Sequence, residues 1–263
     1  MADEAEDLVN SGLAFAEKGD LDRAIAEWTA ALKVKPDSID ALYNRGVAYY
    51  YQRNYEGAIA DWTVMLKVKP DIAEALYYRG NAYDYIGDLD RAIADWTAAL
   101  KVRPDHYLAL YNRGVVYGRN GDIDKAIADY TAVIKIKPDY VEALYNRGNA
   151  YDEKGDYNRA IADFTAALKF RPNLYQALYN RGNAYGRSGD ETRAIADFTA
   201  ALKFKPDHHD ALLSRGVAYY KKGDVDRAIA DFEAVLQINP DDADALRNLA
   251  LARLTRGDFQ ITP

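Results

Sequence analysis

The chain has 263 residues, 49% of them hydrophobic and 29% charged, and no Cys. That balance is ordinary for a packed protein, and the lack of Cys excludes a disulfide frame or a thiolate metal site. A formal net charge of -7 and a pI near 5.1 argue against a nucleic-acid partner, which needs clustered Lys and Arg. No apolar run approaches the roughly 20 residues of a membrane span, so no membrane insertion is expected.

The start, MADEAEDL, is acidic and lacks the basic-then-apolar layout of a signal peptide. The compartment stays open, with a cytoplasmic setting expected ahead of a periplasmic or secreted one. From Ala5 to Asp242 a 34-residue pattern then recurs seven times without insertion, over 5–38, 39–72, 73–106, 107–140, 141–174, 175–208 and 209–242. Place four of each unit is Leu, from Leu8 to Leu212; place eight is Gly, from Gly12 to Gly216. Place eleven is Phe15 and then six times Tyr, from Tyr49 to Tyr219. Place twenty is always Ala, place twenty-four a large ring from Trp28 to Phe232, and place thirty-two Pro. A fixed period of this size signals a solenoid, read here as a single domain over 1–263.

Places four, eight and eleven share one helical face, and places twenty, twenty-four, twenty-seven and twenty-eight repeat that spacing, so each unit is two amphipathic helices. Gly-Asp stands between them, as in Gly19-Asp20 and Gly155-Asp156, where Gly ends one helix and Asp caps the next. The short turn makes the pair antiparallel. Unit two has Arg53-Asn54 instead, which predicts a non-Gly residue in the left-handed region and a softer corner. Pro closes the second helix. The following Asp or Asn, such as Asp37 and Asn173, is expected to cap the next first helix. An acid or Gln three residues on, such as Glu74 or Gln176, completes a capping box, a series that Leu108 breaks. Gly at place eight and Ala at place twenty are read as permitting close helix approach.

In unit six, place seventeen, apolar or Tyr elsewhere, becomes Glu191, which makes this the expected weak joint. Residues 243–257 read as a capping helix with Leu246, Leu249 and Ala250 on its inner face and Arg253 in the aromatic place. The tail 258–263 is expected to be loosely held.

These places resemble the tetratricopeptide repeat: Leu at four, Gly at eight, Tyr at eleven, Ala at twenty, an aromatic at twenty-four, Ala at twenty-seven and Pro at thirty-two. The resemblance implies an all-α fold, a right-handed superhelical solenoid of antiparallel helix pairs. It also implies that the first helices line a concave groove that grips peptides or partner proteins, with catalysis left to other chains. Place seven departs from the family, being Arg in six units (Arg45, Arg79, Arg113, Arg147, Arg181, Arg215). An acid recurs at place twenty-three, so an inter-helix ion pair is expected.

By the same resemblance, places two, five, nine and twelve face the groove. Place five carries Tyr43, Tyr77, Tyr111, Tyr145 and Tyr179, which either pack on neighbouring helices or offer flat apolar area with a hydroxyl. Place six carries Asn44, Asn112, Asn146 and Asn180, and place nine Asn81, Asn149 and Asn183. Asn is an indifferent helix former, so these amides either tie adjacent helices or hold a peptide main chain. The family's carboxylate clamp needs cations at places two and five, where this chain has acids and Tyr. Places twelve and thirteen alternate in sign between units, as in Asp84, Arg119, Asp152 and Arg187, which is either a solvated face or a match for a partner of mixed charge. Val9 and Leu13 at one end, and Leu251 and Leu254 at the other, are expected to form apolar lips.

No enzyme is expected. The three His sit at unit junctions, so they form no i, i+4 metal pair; neither a metal nor a cofactor is implied, and no nucleophile context appears. The expected function is a protein- or peptide-binding scaffold. A self-assembling homo-oligomeric scaffold, joined through the array ends, is the alternative.

Overall fold

The computed structural model describes residues 2–258; the tail expected to be loose lies, apart from Asp258, outside the described residues. Among these there are fifteen helices and no strand. They fall into two compact units that divide between Ile136 and Lys137. Unit one holds the first helices α1 (Ala2–Glu17), α3 (Ile39–Tyr51), α5 (Ala73–Tyr85) and α7 (Tyr107–Arg119). Their second helices are α2 (Leu21–Val34), α4 (Tyr55–Val68), α6 (Leu89–Val102) and α8 (Ile123–Ile136). Unit two holds α9 (Val141–Glu153), α11 (Tyr175–Arg187) and α13 (His209–Lys221) with their partners α10 (Tyr157–Phe170), α12 (Glu191–Phe204) and α14 (Val225–Ile238). The helix α15 (Ala243–Arg256) follows. Within each unit every helix packs along its successor.

The pair geometry follows from two residues per turn. Gly155 takes φ 76, a region free of steric cost only for Gly, and the Asp156 side chain accepts from the Arg159 amide at 3.1 Å. Unit two of the sequence repeat shows the substitute: Arg53 is the one described non-Gly residue at positive φ, at 61°, a strain of roughly 1 kcal/mol. Asn54 still caps α4 through the Gly57 amide at 3.0 Å.

Gly at place eight is explained by contact. A Cβ on Gly148 would stand 2.7 Å from the Phe164 ring, so any side chain there pushes the paired helices apart. Opposite it, the place-twenty residues Ala24, Ala58, Ala92, Ala126, Ala160, Ala194 and Ala228 are all 0% exposed.

Capping between repeats differs from the sequence expectation. Pro36 and Asp37 form the middle of a turn closed by the Ser38 amide on the Lys35 carbonyl at 3.1 Å, Pro fitting its second position. The cap therefore falls one residue later. Ser38, His106, His208 and Asp242 accept from the amide three residues on, while Ile72, Tyr140 and Leu174 offer no side-chain bond. The acids read as capping-box partners sit one place too early for that role. Glu74 and Glu142 reach instead to Arg103 at 2.6 Å and Arg171 at 2.7 Å.

Two further expectations change on α15. Ala245, Leu249 and Ala252 are its buried face, whereas Leu246 is 49% exposed and Ala250 is exposed too. Places four and eight elsewhere face a second helix of the same pair, and among the described residues α15 has none. At place seventeen of the sixth repeat, Glu191 spans to Lys221 Nζ at 2.9 Å, so an ion pair stands where its counterparts bury apolar atoms.

Candidate functional site

Place seven positions the first helices. Arg79 Nε and Nη2 donate to the two oxygens of Asp95, each at 2.7 Å, and Nη1 donates to Thr63 in the preceding repeat at 3.1 Å. The fork of a guanidinium suits this two-oxygen acceptor. Arg45, Arg113, Arg147, Arg181 and Arg215 make the same bidentate bond to Asp61, Asp129, Asp163, Asp197 and Asp231. The carboxylates are buried and hold the Arg79 guanidinium above its ordinary pKa against the pull of burial. The link to Thr of the preceding repeat had no sequence signal beyond the recurrence of Thr at place twenty-five.

On the groove stripe, the place-five Tyr residues are half-buried, each beside an aromatic neighbour. Tyr77 lies 4.6 Å from the His106 ring, and Tyr145 and Tyr179 lie 5.9 Å from Phe164 and Phe198. Tyr111 lies 6.1 Å from Tyr130, and Tyr43 meets Tyr78 edge-on at 6.5 Å. Burial pushes the Tyr43, Tyr78 and Tyr50 hydroxyls above the usual phenol range, so they stay neutral donors.

Some of the Asn amides are helix ties. Asn81 is 8% exposed, and its carbonyl accepts from Trp96 Nε1 at 3.0 Å and from Asn112 Nδ2 at 2.9 Å. Asn180 Nδ2 donates to Asn149 Oδ1 at 2.8 Å and to Tyr145 Oη at 3.0 Å. Asn146 is half-buried. Asn44 and Asn183 are half-buried as well, and neither has a hydrogen-bond partner among the described side chains. The alternating charges of places twelve and thirteen pair with one another: Asp84 takes Arg119 at 3.5 Å, and Asp152 takes Arg187.

Two clefts open between neighbouring first helices, one in each unit. That in unit one, about 620 Å³, is lined by Glu6, Leu13, Asp40, Tyr43 and Asn44 over a floor that includes Val9. Val9 is 7% exposed and is floor rather than lip; Leu13, at 39%, is the apolar rim. The cleft in unit two, about 370 Å³, has Leu213 and Val217 as apolar wall and Asn183 and Asn248 as unpaired amides, with Lys221 and Arg247 at its edge. Leu251 and Leu254, both exposed, do not line it.

Among the described residues no group of three or more His, Asp or Glu side chains is placed to hold a metal ion, and no helix is long and apolar enough to cross a membrane. Stacked helix pairs that carry clefts between their first helices define a helical-repeat protein. Tetratricopeptide repeat models match residues 39–72, 77–141, 141–174, 179–243 and 213–260, and a TPR repeat model matches 12–53. The chain belongs to the tetratricopeptide repeat family and is a protein-interaction scaffold in its coarse class.

No curated protein sequence matches. Among solved structures, the chain is similar to the C-terminal part of a TPR repeat-containing protein from Cytophaga hutchinsonii, with TM-score 0.76 and 19% identity over 92% of this chain and 99% of that one. A tetratricopeptide repeat protein from Parabacteroides merdae matches with TM-score 0.63 and 22% identity over 95% and 99%. YrrB, described as a TPR protein with an unusual peptide-binding site, matches with TM-score 0.66 and 22% identity over 71% and 96%. At these identities the likeness is one of fold.

Proposed function

We propose that the chain binds an extended peptide segment of a partner protein along its first helices and has no chemistry of its own. The observation that carries this reading is the position of the two clefts, each opening between neighbouring first helices and lined by places two, five, six and nine. Such a lining offers what peptide recognition uses: in both clefts amides able to donate and accept to a main chain, and in that of unit one the half-buried Tyr43 ring for flat contact. The ties described above leave Asn44, Asn183 and Asn248, with the exposed Asn10, as cleft amides without a partner among the described side chains; Tyr43 lines the cleft of Asn10 and Asn44, and Tyr77, Tyr111, Tyr145 and Tyr179 hold the same place on α5, α7, α9 and α11. The peptide-binding site for which YrrB is described is in keeping with this reading.

Panning a random dodecapeptide display library on the whole chain tests it. Enriched peptides should bind in solution, and Tyr43→Ala with Asn44→Ala, or Asn183→Ala with Asn248→Ala, should weaken them. If both double variants keep helicity and full affinity for every enriched peptide, the groove is not the site.

A second reading, self-assembly, has one observation in its favour: Leu246, Leu251 and Leu254 on α15 are 49%, 47% and 51% exposed. The outer face of α1 does not match it, because Asp7 is exposed and Ser11 half-exposed at places that hold Ala and Arg within the array. Sedimentation across concentration decides: a dimer lost in Leu251→Ser with Leu254→Ser supports assembly through α15, and a monomer throughout removes it.

A further inference from the structure

The two groove stripes differ in how their acids are answered. In unit two each acid at places two and twelve has a basic side chain of the same chain beside it. Glu142 has Arg171 at 2.7 Å, Asp152 has Arg187, Asp210 has His209 at 3.0 Å and Asp244 has Arg247 at 2.7 Å. In unit one Glu74 and Asp84 have Arg103 and Arg119, but Glu6 and Asp40, both exposed, form no ion pair among the described residues. No Lys or Arg stands at places two, five, nine or twelve of α1, α3, α5 or α7.

Glu6 of α1 and Asp40 of α3 line one cleft, together with Tyr43 and the unpaired amide of Asn44, both on α3. Lys35 lines the same cleft, also without an ion pair, so acids outnumber cations there. A Tyr ring face attracts cations through its quadrupole, and two carboxylates without a partner among the described residues favour the same charge. Continuing along the stripe, Tyr50 meets Tyr51, Tyr78 and Tyr85 edge-on at 6.1, 6.1 and 5.8 Å. Tyr51 and Tyr85 are 68% and 63% exposed. The surface is therefore aromatic and acid-rich from α1 to α5, and a cleft of about 620 Å³ falls in the size range of ligand pockets.

We infer that the unit-one cleft receives a Lys or Arg side chain of an extended partner segment, held by Glu6, Asp40 and the Tyr43 ring, while Asn44 bonds the segment's main chain. The inference rests on the peptide-binding reading and narrows it to a basic segment. An acidic segment drawn to Lys35, or a neutral one held by the rings alone, would be the competing occupants.

Fluorescence anisotropy with three labelled dodecapeptides, alternating Ala with Arg, Gln or Glu, separates these on the whole chain. The Arg peptide should bind roughly tenfold more tightly than the Gln peptide at low salt, with the gap narrowing as ionic strength rises. Glu6→Gln with Asp40→Asn should remove most of that gap. Glu56→Gln with Asp90→Asn, an equal charge change at exposed, unpaired residues of the second helices, should leave it intact. Equal losses in both double variants would mean diffuse attraction to an acidic protein and overturn the inference. Tighter binding of the Gln or Glu peptide, sensitive to Tyr43→Ala with Asn44→Ala, overturns it and leaves the peptide-binding reading standing. If none of the three peptides binds, both readings fall for this cleft.

Discussion

At the scale of single residues, the groove shows how one side chain can serve packing and recognition and how its neighbours decide between them. Trp28 Nε1 finds the Val9 carbonyl at 3.2 Å, and Trp96 Nε1 finds Asn81 at 3.0 Å. Trp62 Nε1 is buried with no partner. Its repeat has Val47 at the place where Asn81 stands in the next, so the indole lacks an acceptor. A buried donor without a bond costs about 1–3 kcal/mol. Val47→Asn supplies the amide, and thermal unfolding should show a gain of about 1 kcal/mol. No gain, or a loss with Trp62 fluorescence unchanged, would mean that the Asn turns to solvent instead. The same comparison marks what was legible. Asn at places six and nine announces a ladder, but which amides close on one another depends on whether the residue one repeat away is Asn, as for Asn112 and Asn81, or Val47, facing Tyr78. Periodicity identifies the places; the pairing belongs to side chains brought together by stacking.

At the scale of the helix pair, the sequence is most informative where a single backbone rule governs the outcome. Gly before Asp fixes the inner turns, and even the exception at Arg53 follows the rule. The junction between repeats is less legible, because a β-turn around Pro shifts the cap by one residue and lets His serve. His106 caps α7 through Nδ1; burial first, and then Arg103, hold it below its ordinary pKa. His209 stands oppositely. Its two ring nitrogens face Asp210 at 3.0 Å, from its own helix, and Asp242 at 2.9 Å, the cap of α15, and these carboxylates raise its pKa above 6.5. Asp242 is lowered, by the Ala245 amide first and also by His209. The His209 contribution is complete below its unfolded value near 6.5 and is lost as pH rises through the raised folded value. The Asp242 contribution is complete above 3.8 and lost as pH falls through the lowered one. The docking of α15 should therefore be firmest between those limits. Hydrogen exchange of α15 amides, referred to α13 and corrected for intrinsic rate, should show protection declining on the alkaline side in the parent chain and flat there in His209→Gln. An unchanged alkaline decline in the variant would assign it to another group.

At the scale of the whole molecule, seven near-identical repeats suggest a uniform array, yet the contacts divide at Ile136 and Lys137. Nothing in the periodicity marks that boundary, since places twenty-four and thirty-two run through it unbroken. The repeats differ in what fills them. Unit one centres on three Trp, with Trp62 packed against Leu42, Met65 and Leu76, Trp28 against Val9 and Ala48, and Trp96 against Tyr83 and Val116. Unit two uses Phe164 with Leu168 and Leu178, then Leu202 with Leu212 and Val235, and Phe232 with Ile229 and Leu249. Each unit thus owns several complete apolar clusters formed between helices close in sequence, and repeat arrays gain stability from such nearest-neighbour terms. Residues 1–136 and 137–263, expressed separately, should each give a helical spectrum and a cooperative thermal transition. Because local contacts dominate, refolding of either piece should not need the other. Within the Arg ladder, Arg45, Arg79 and Arg113 bond residues of unit one, and Arg181 and Arg215 bond residues of unit two. A piece that is unfolded alone at temperatures where the full chain is folded would show that its clusters are too small to stand by themselves, and that the array must be counted as one cooperative body.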